Sequence, residues 1–363
     1  MTTRLDTLRT AMRDANVQTL AVVPGANMFY LLGLTIHQSE RLALAFIQAD
    51  GDVALVLPAL EQPRAQAEAR TLIHFYPWDD ADGYQTALQQ CADDLQLEGG
   101  LAVEYTAMRV LELRAIEAAA TVQVNDATDL LAQLRMVKDA DELQAMRHAV
   151  AAVEAGLREA INFMRPGVTE REVADVWEQA MRAAGSEGPS FTTIVASGPN
   201  SANPHHTTGE RQLQPGDLVI LDGGARVGGY ASDITRTVAV GELSTEARRI
   251  YDTVLQANRA GVAAVKPGAS GAAVDRATRD VIAAASYGHY FVHRTGHGLG
   301  IEIHEPPYLH SNSTAPLPLG ATFTIEPGVY VPNVGGVRIE DDVVLTKQGV
   351  DMLTTFKREL IVR

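Results

Sequence analysis

The chain has 363 residues, 46% of them apolar and 21% charged, the composition of an ordinary globular protein of about two domains. Its 45 acids outnumber 30 bases, for a formal charge of −15. Nucleic-acid and membrane-surface binding both require a basic face, and no Lys/Arg run supplies one, so neither partner is expected.

The opening MTTRLDTLRTAMRDANVQ is charged and amphipathic, with Leu5, Leu8 and Met12 on one helical face. It lacks the apolar core of a signal peptide, and no apolar run reaches the roughly 18 residues of a membrane span. A cytoplasmic protein is the expectation. The segment TLAVVPG reads as a strand, followed by a short apolar stretch, NMFYLLGL. Two apolar runs joined at Asp50-Gly51 then read as a hairpin. Further strands are expected in TLIHFYPW, LAVEY and VQVND, with helical segments between them. Cys91 falls in the stripe Tyr84, Leu88, Cys91, Leu95, which predicts a buried apolar side chain on a helix. A lone cysteine also excludes an internal disulfide and a thiolate zinc cluster. Residues 1–127 thus form a compact α/β domain with no catalytic constellation of its own.

The polar, helix-forming stretch LRMVKDADELQAMRHA opens a second domain, residues 128–363. This part repeats itself. Arg165-Pro166-Gly167 is followed five residues later by Glu172-Val173, and Lys266-Pro267-Gly268 in the same way by Ala273-Val274. The segment GDLVILDGGARVGGYASDITRT parallels GATFTIEPGVYVPNVGGVRIEDD. In each, Gly opens a strand, an acid follows six residues on, and a Gly-rich turn leads to a second acid. A duplicated helix–helix–hairpin unit follows, with two halves packed about a pseudo-twofold axis and antiparallel sheet between them.

The two hairpins deliver Asp222 and Asp233, and Glu326 and Glu340. Four carboxylates at short range cannot all ionise without a cation, because each raises the next one's pKa. Seven of the ten histidines lie between residues 205 and 310, three of them in HRTGHGLGIEIHEPP, which brings imidazole to the same place. Oxygen ligation with one nitrogen favours Mn²⁺, with Co²⁺, Fe²⁺ and Zn²⁺ as alternatives. Each fragment alone has a bland reading as turn acids or a solvated charge run. The ordered set is specific.

Together these residues resemble the metallopeptidases of the pita-bread fold, which include aminopeptidase P, prolidase, methionine aminopeptidase and the metal-free creatinase. The resemblance spans roughly residues 135–363, and residues 1–125 resemble the creatinase-type N-terminal α/β domain, with NMFYLLGL as the matching stretch. It implies an α+β chain whose catalytic domain is internally duplicated. It places five metal ligands on Asp222, Asp233, His297, Glu326 and Glu340, with Asp233 and Glu340 bridging two divalent ions. The ligand types are all intact, which separates the chain from creatinase and from an inactive peptide-binding scaffold. His205, His293 and His304 match the family's substrate-handling histidines, and Arg338 and Tyr330 fall on family positions, with Arg338 expected to orient Glu340 or a nearby acid. His206 matches nothing.

The implied activity is hydrolysis of the Xaa-Pro bond of proline-containing peptides. Two ions about 3.5–4 Å apart would lower the pKa of a shared water, with Glu326 as general base. His304 would polarise the carbonyl as a donor, and His205 and His293 would line the proline side. A dipeptidase must also bind the free proline carboxylate, which needs a cation. Archaeal-type prolidases carry Arg four residues after the histidine matching His304, and here that position is Tyr308. Xaa-Pro aminopeptidase is therefore the expected activity, with Xaa-Pro dipeptidase as the alternative and a homodimer as the family's default assembly.

Overall fold

The computed structural model describes residues 3–363, and the chain divides into two compact units at Arg135/Met136. In the first, α1 (Arg4–Asp14), β1 (Thr19–Val22), α2 (Ala26–Leu32), β2 (Leu44–Gln48), β3 (Val53–Pro58), α3 (Gln62–Glu68), β4 (His74–Trp78), α4 (Gln85–Asp94), β5 (Gly99–Val103), α5 (Val110–Ala119), β6 (Val122–Asp126) and α6 (Thr128–Met136) follow in order. Their six strands form one mixed sheet in the order β4-β3-β2-β1-β5-β6. The expected strands are all present, and β2 and β3 pair antiparallel across the Asp50-Gly51 turn. The apolar stretch NMFYLLGL supplies α2, closed by Gly33 in the left-handed conformation. Leu5, Leu8 and Met12 are buried on α1, and Cys91 is buried beside Leu88 and Leu95 on α4. Burial pushes its thiol up to about 12, so it is inert at neutral pH.

The packing division falls one helix later than residue 127, because α6 is tied into the first unit. Tyr30 Oη donates to the carbonyl of Leu134 at 3.0 Å, and Arg135 donates to Asn27 Oδ1 at 3.1 Å. The polar stretch that follows does not continue as one helix. Asp139 caps a new one, accepting from the backbone N–H of Glu142 at 2.8 Å.

The second unit contains α7 (Ala140–Phe163), α8 (Glu170–Ala183), β7 (Gly188–Pro189), β8 (Ile194–Ser197), β9 (Leu218–Gly223), β10 (Ala225–Val227), β11 (Tyr230–Ala231), β12 (Ile234–Ala239), α9 (Thr245–Ala264), α10 (Gly271–Ala284), β13 (Gly296–Gly298), β14 (Glu305–Leu309), β15 (Thr322–Ile325), β16 (Gly328–Val331), β17 (Gly335–Arg338), β18 (Asp341–Thr346), β19 (Gly349–Met352) and β20 (Ile361–Val362). The duplication is written in its hydrogen bonds. Leu213 N–H donates to Val168 O at 2.8 Å, and Leu317 N–H to Ala269 O at 2.9 Å. Arg171 N–H donates to Gly209 O at 3.0 Å, and Ala272 N–H to Ser313 O at 2.8 Å. Each half thus clamps the start of its second helix against the loop ahead of its acid-bearing strand.

The antiparallel pairs β9/β12 and β15/β18 are the equivalent hairpins. They meet where Glu340 N–H donates to Thr235 O at 3.1 Å and Asp233 N–H to Asp342 Oδ2 at 2.9 Å. Trp177, Leu221 and Ile234 pack the first half, and Val274, Phe323 and Val343 the second. These apolar faces hold the hairpins rigid, and the carboxylates emerge at their meeting line.

Candidate metal centre and substrate cavity

All five sequence-derived ligands line one cavity of about 500 Å³. Asp222 lies near the end of β9, Asp233 just before β12, His297 inside β13, Glu326 just after β15, and Glu340 between β17 and β18. Asp222, Asp233, His297 and Glu340 are buried. Asp233, His297 and Glu340 each present a ligand atom within 4.8 Å of the others. His297 Nε2 stands 3.7 Å from Asp233 Oδ2 and 3.4 Å from Glu326 Oε1.

The acids cannot all ionise together without a compensating cation. Burial, then the charges of Glu340 and Asp222, push the Asp233 carboxyl well above its usual range. Glu340 is raised well above its own by burial and by Glu326 and Asp222. Burial brings Glu326 up to about 7. Burial also drives His297 down to about 3, leaving a neutral imidazole ready to ligate. Asp233 Oδ1 is buried with no hydrogen-bond partner among the described residues, an orphaned oxygen aimed at no protein donor. A hard or borderline divalent ion fits this donor set, neutralising the acids and occupying that oxygen.

Around the acids, Arg338 donates to Asp222 Oδ2 at 2.6 Å and to Tyr330 Oη at 2.7 Å. It reaches Glu340 only through Thr235, whose hydroxyl accepts from Arg338 at 3.2 Å and donates to Glu340 at 2.6 Å. Asp222, not Glu340, is thus the acid that Arg338 orients directly. Tyr330 Oη also pairs with His293 Nε2 at 2.9 Å, so Tyr330 stands behind the cavity wall. His293 is kept uncharged at neutral pH, burial pulling it down to about 4. His304 is exposed, with its ring 4.3 Å from that of His297, and burial of its inner face lowers it too. His205 lines the cavity from an exposed loop. His206 turns away from it, to Glu170 at 2.9 Å.

Three features escaped the sequence reading. Phe191, Ile194 and Ile303 give the cavity an apolar wall. Thr235 links Arg338 to Glu340. Arg294 lines the cavity with its guanidinium 4.5 Å from the centre of the Tyr308 ring, and its side chain makes no ion pair or hydrogen bond among the described residues. Register places it there: β13 runs antiparallel to β14 with His297 opposite Tyr308. A signal was available, since Arg294 lies three residues before His297 in the same histidine-rich segment.

Comparison with known proteins gives the family. Residues 144–347 match the model of metallopeptidase family M24, and residues 4–137 that of the creatinase/prolidase N-terminal domain. The chain is 35% identical over 363 residues to the Xaa-Pro dipeptidase of Pyrococcus furiosus, covering 99% of this chain and 100% of that one. It is similar to the crystal structure of a dipeptidase from Pyrococcus horikoshii OT3, with a TM-score of 0.93, 39% identity and coverage of 99% and 100%. An X-Pro aminopeptidase structure from Thermotoga maritima is also similar, with a TM-score of 0.86, 31% identity and coverage of 98% and 100%. The fold is therefore the pita-bread fold with a creatinase-type N-terminal domain, and the chain is a peptide-bond hydrolase. It belongs to metallopeptidase family M24.

Proposed function

We propose that the chain is a dinuclear Xaa-Pro dipeptidase. The observation that carries this reading is Arg294. From the sequence, Tyr308 in place of an arginine favoured the aminopeptidase; the cavity nevertheless holds a cation stacked on that same tyrosine. A partly buried guanidinium without a counter-ion is a receptor for a carboxylate, and the free carboxylate of a C-terminal proline is the one a dipeptide brings. Full-length similarity to proteins named as dipeptidases supports the same order of the two readings.

Asp222, Asp233, His297, Glu326 and Glu340 would hold two divalent ions, Mn²⁺ by the oxygen-rich donor set. When bound, the ions supply an activated water at neutral pH. The chain's own residues do the rest. Glu326, at the cavity wall beside His297, takes and returns a proton. Neutral His304 donates to the scissile carbonyl. His293, fixed by Tyr330 and by the backbone carbonyl of Arg294 at 2.7 Å, faces the proline ring together with His205. The apolar wall receives the substrate's side chains and excludes water. A homodimer is the assembly the resemblance implies, which sedimentation would test.

Turnover of Xaa-Pro dipeptides should exceed that of Xaa-Pro-Yaa tripeptides under Mn²⁺. Arg294→Ala should raise the dipeptide KM about tenfold or more, the cost of one charged hydrogen-bonding partner. Faster tripeptide cleavage, with Arg294→Ala neutral, would return the aminopeptidase reading to first place.

A further inference from the structure

His206 is the histidine that the sequence leaves without a role, and Glu170 is a carboxylate with no exposure at the start of α8. We infer that these two residues form a strut that positions His205 in the substrate cavity. The inference rests on the reading of His205 as a substrate-facing group.

The argument begins with the loop. Residues 198–209 carry His205 between β8 and the first-half clamp, and no strand pairing holds the tip. Two backbone bonds brace it there: Asn203 N–H donates to Asn200 O at 3.0 Å and His206 N–H to Asn203 O at 3.2 Å. The His205 backbone N–H reaches Asn203 Oδ1 at 3.1 Å. Ser201 and Thr208 anchor the loop's flanks, to Gly336 N–H at 2.8 Å and Thr193 O at 2.9 Å, and Glu170 gathers the rest. Its Oε1 accepts from Ser197 N–H at 2.8 Å, Ser197 Oγ at 2.7 Å and Asn200 Nδ2 at 2.9 Å. Its Oε2 accepts from His206 Nε2 at 2.9 Å and Gly209 N–H at 3.2 Å. One buried carboxylate thus ties both ends of the loop and its middle.

Burial alone would raise the Glu170 carboxyl, but the donors from Ser197, Asn200 and His206 outweigh it and hold the group below its usual range. It therefore stays ionised, and His206 Nε2 carries the proton and donates. Pro204 and His205 are the central residues of a turn closed by the His206 N–H to Asn203 O bond, so whatever anchors His206 also fixes how the turn presents His205. With His206 fastened to Glu170, the turn holds His205 at the cavity, which it lines beside Pro204. The equivalent position in the second half is Gly271, which has no side chain to fasten anything. The strut belongs to the substrate-facing loop of the first half and not to the shared scaffold.

Because the strut acts through His205, a double-mutant cycle on the Mn²⁺-loaded enzyme tests it, with Ala-Pro as substrate. His206→Ala should lower kcat/KM about tenfold, chiefly through KM, with bound metal and melting temperature retained. His206→Gln, which keeps an N–H within reach of Glu170, should recover most of the loss. The double variant His205→Ala/His206→Ala should be no worse than His205→Ala alone. Should His206→Ala fail to fold, His206→Leu fills the same space without a donor and replaces it in the cycle. A normal His206→Ala beside a crippled His205→Ala, or losses that multiply in the double variant, would overturn the strut alone. Unchanged turnover in His205→Ala would overturn both the strut and the reading of His205 beneath it.

Discussion

The two halves of the catalytic unit share one scaffold and divide its chemistry unequally. Both clamp a helix start to a loop with equivalent backbone bonds, and both present two acids from an antiparallel pair. The first half supplies aspartates, the second glutamates and the histidine segment between them in the chain. Position 170 against 271 shows how the support differs. Glu170 gathers a polar loop through five donors. A Cβ added to Gly271 would lie 3.0 Å from the Tyr308 carbonyl and 2.9 Å from Ser313 Cβ, so there backbone rests directly on backbone. The first half adjusts its loop with side chains, and the second fixes β14, which begins beside His304, by close packing. Duplication preserved the frame and left the loops free to specialise.

The sharpest way to break this comparison is to neutralise the equivalent acids one at a time. Glu326 and Asp222 occupy matching positions, yet Asp222 is already paired with Arg338 at 2.6 Å, whereas the Glu326 carboxyl sits near neutrality. Glu326→Gln should lower kcat about 10²–10⁴-fold, the range for loss of a general base, with the fold intact by circular dichroism. Asp222→Asn should act differently, weakening metal retention by equilibrium dialysis and stranding a buried Arg338. Equal kcat losses with equal metal content would mean that the halves are chemically interchangeable.

The next effect is thermodynamic and belongs to both halves at once. Asp233, Glu340 and Glu326 have folded-state pKa values raised by burial and mutual repulsion. Groups of this kind favour the folded protein below their unfolded pKa, and that contribution is lost as pH rises through the folded value. For Glu326 the window runs from 4.5 to about 7. Stripped of metal, the protein should therefore weaken across that window, by ~3 kcal/mol from Glu326 alone. Bound divalent ions should cancel the loss. Denaturant midpoints measured with and without chelator at about pH 5.5 and about pH 8 should diverge at the higher pH. A constant gap would show that the acids are not held against one another as their burial implies.

Much of this was legible in the sequence because the scaffold is local and repeated. The acid six residues after an opening glycine, the Pro-Gly breaks and the alternating apolar strands are all short-range signals, and the structure places them on matching elements. What escaped was made by distance. Glu170 meets Ser197 across 27 residues and Gly209 across 39, and Arg338 meets Asp222 across 116. Arg294 stood in plain view but acquires meaning only when β13 folds beside β14 and lays Tyr308 beneath it. Hydrogen-bond partners of this kind have no periodicity to read.

The smallest prediction tests the frame itself. Gly167 and Gly268 are the equivalent breaks between the helices of each half, with φ of +89° and +83° and nothing within 4 Å of an added Cβ. Sterics of the surroundings are thus removed from the question, and only the left-handed backbone remains. Alanine costs about 1–2 kcal/mol in that conformation. Part of this is returned, because alanine also stiffens the unfolded chain by ~0.4–1 kcal/mol. Gly167→Ala and Gly268→Ala should each lower stability by about 1 kcal/mol in urea titrations and leave kcat untouched. The two losses should match, since φ and the open space around an added Cβ match. If one cost far exceeded the other, the halves would differ in the hinge as well as in the chemistry, and the shared frame would be narrower than its hydrogen bonds suggest.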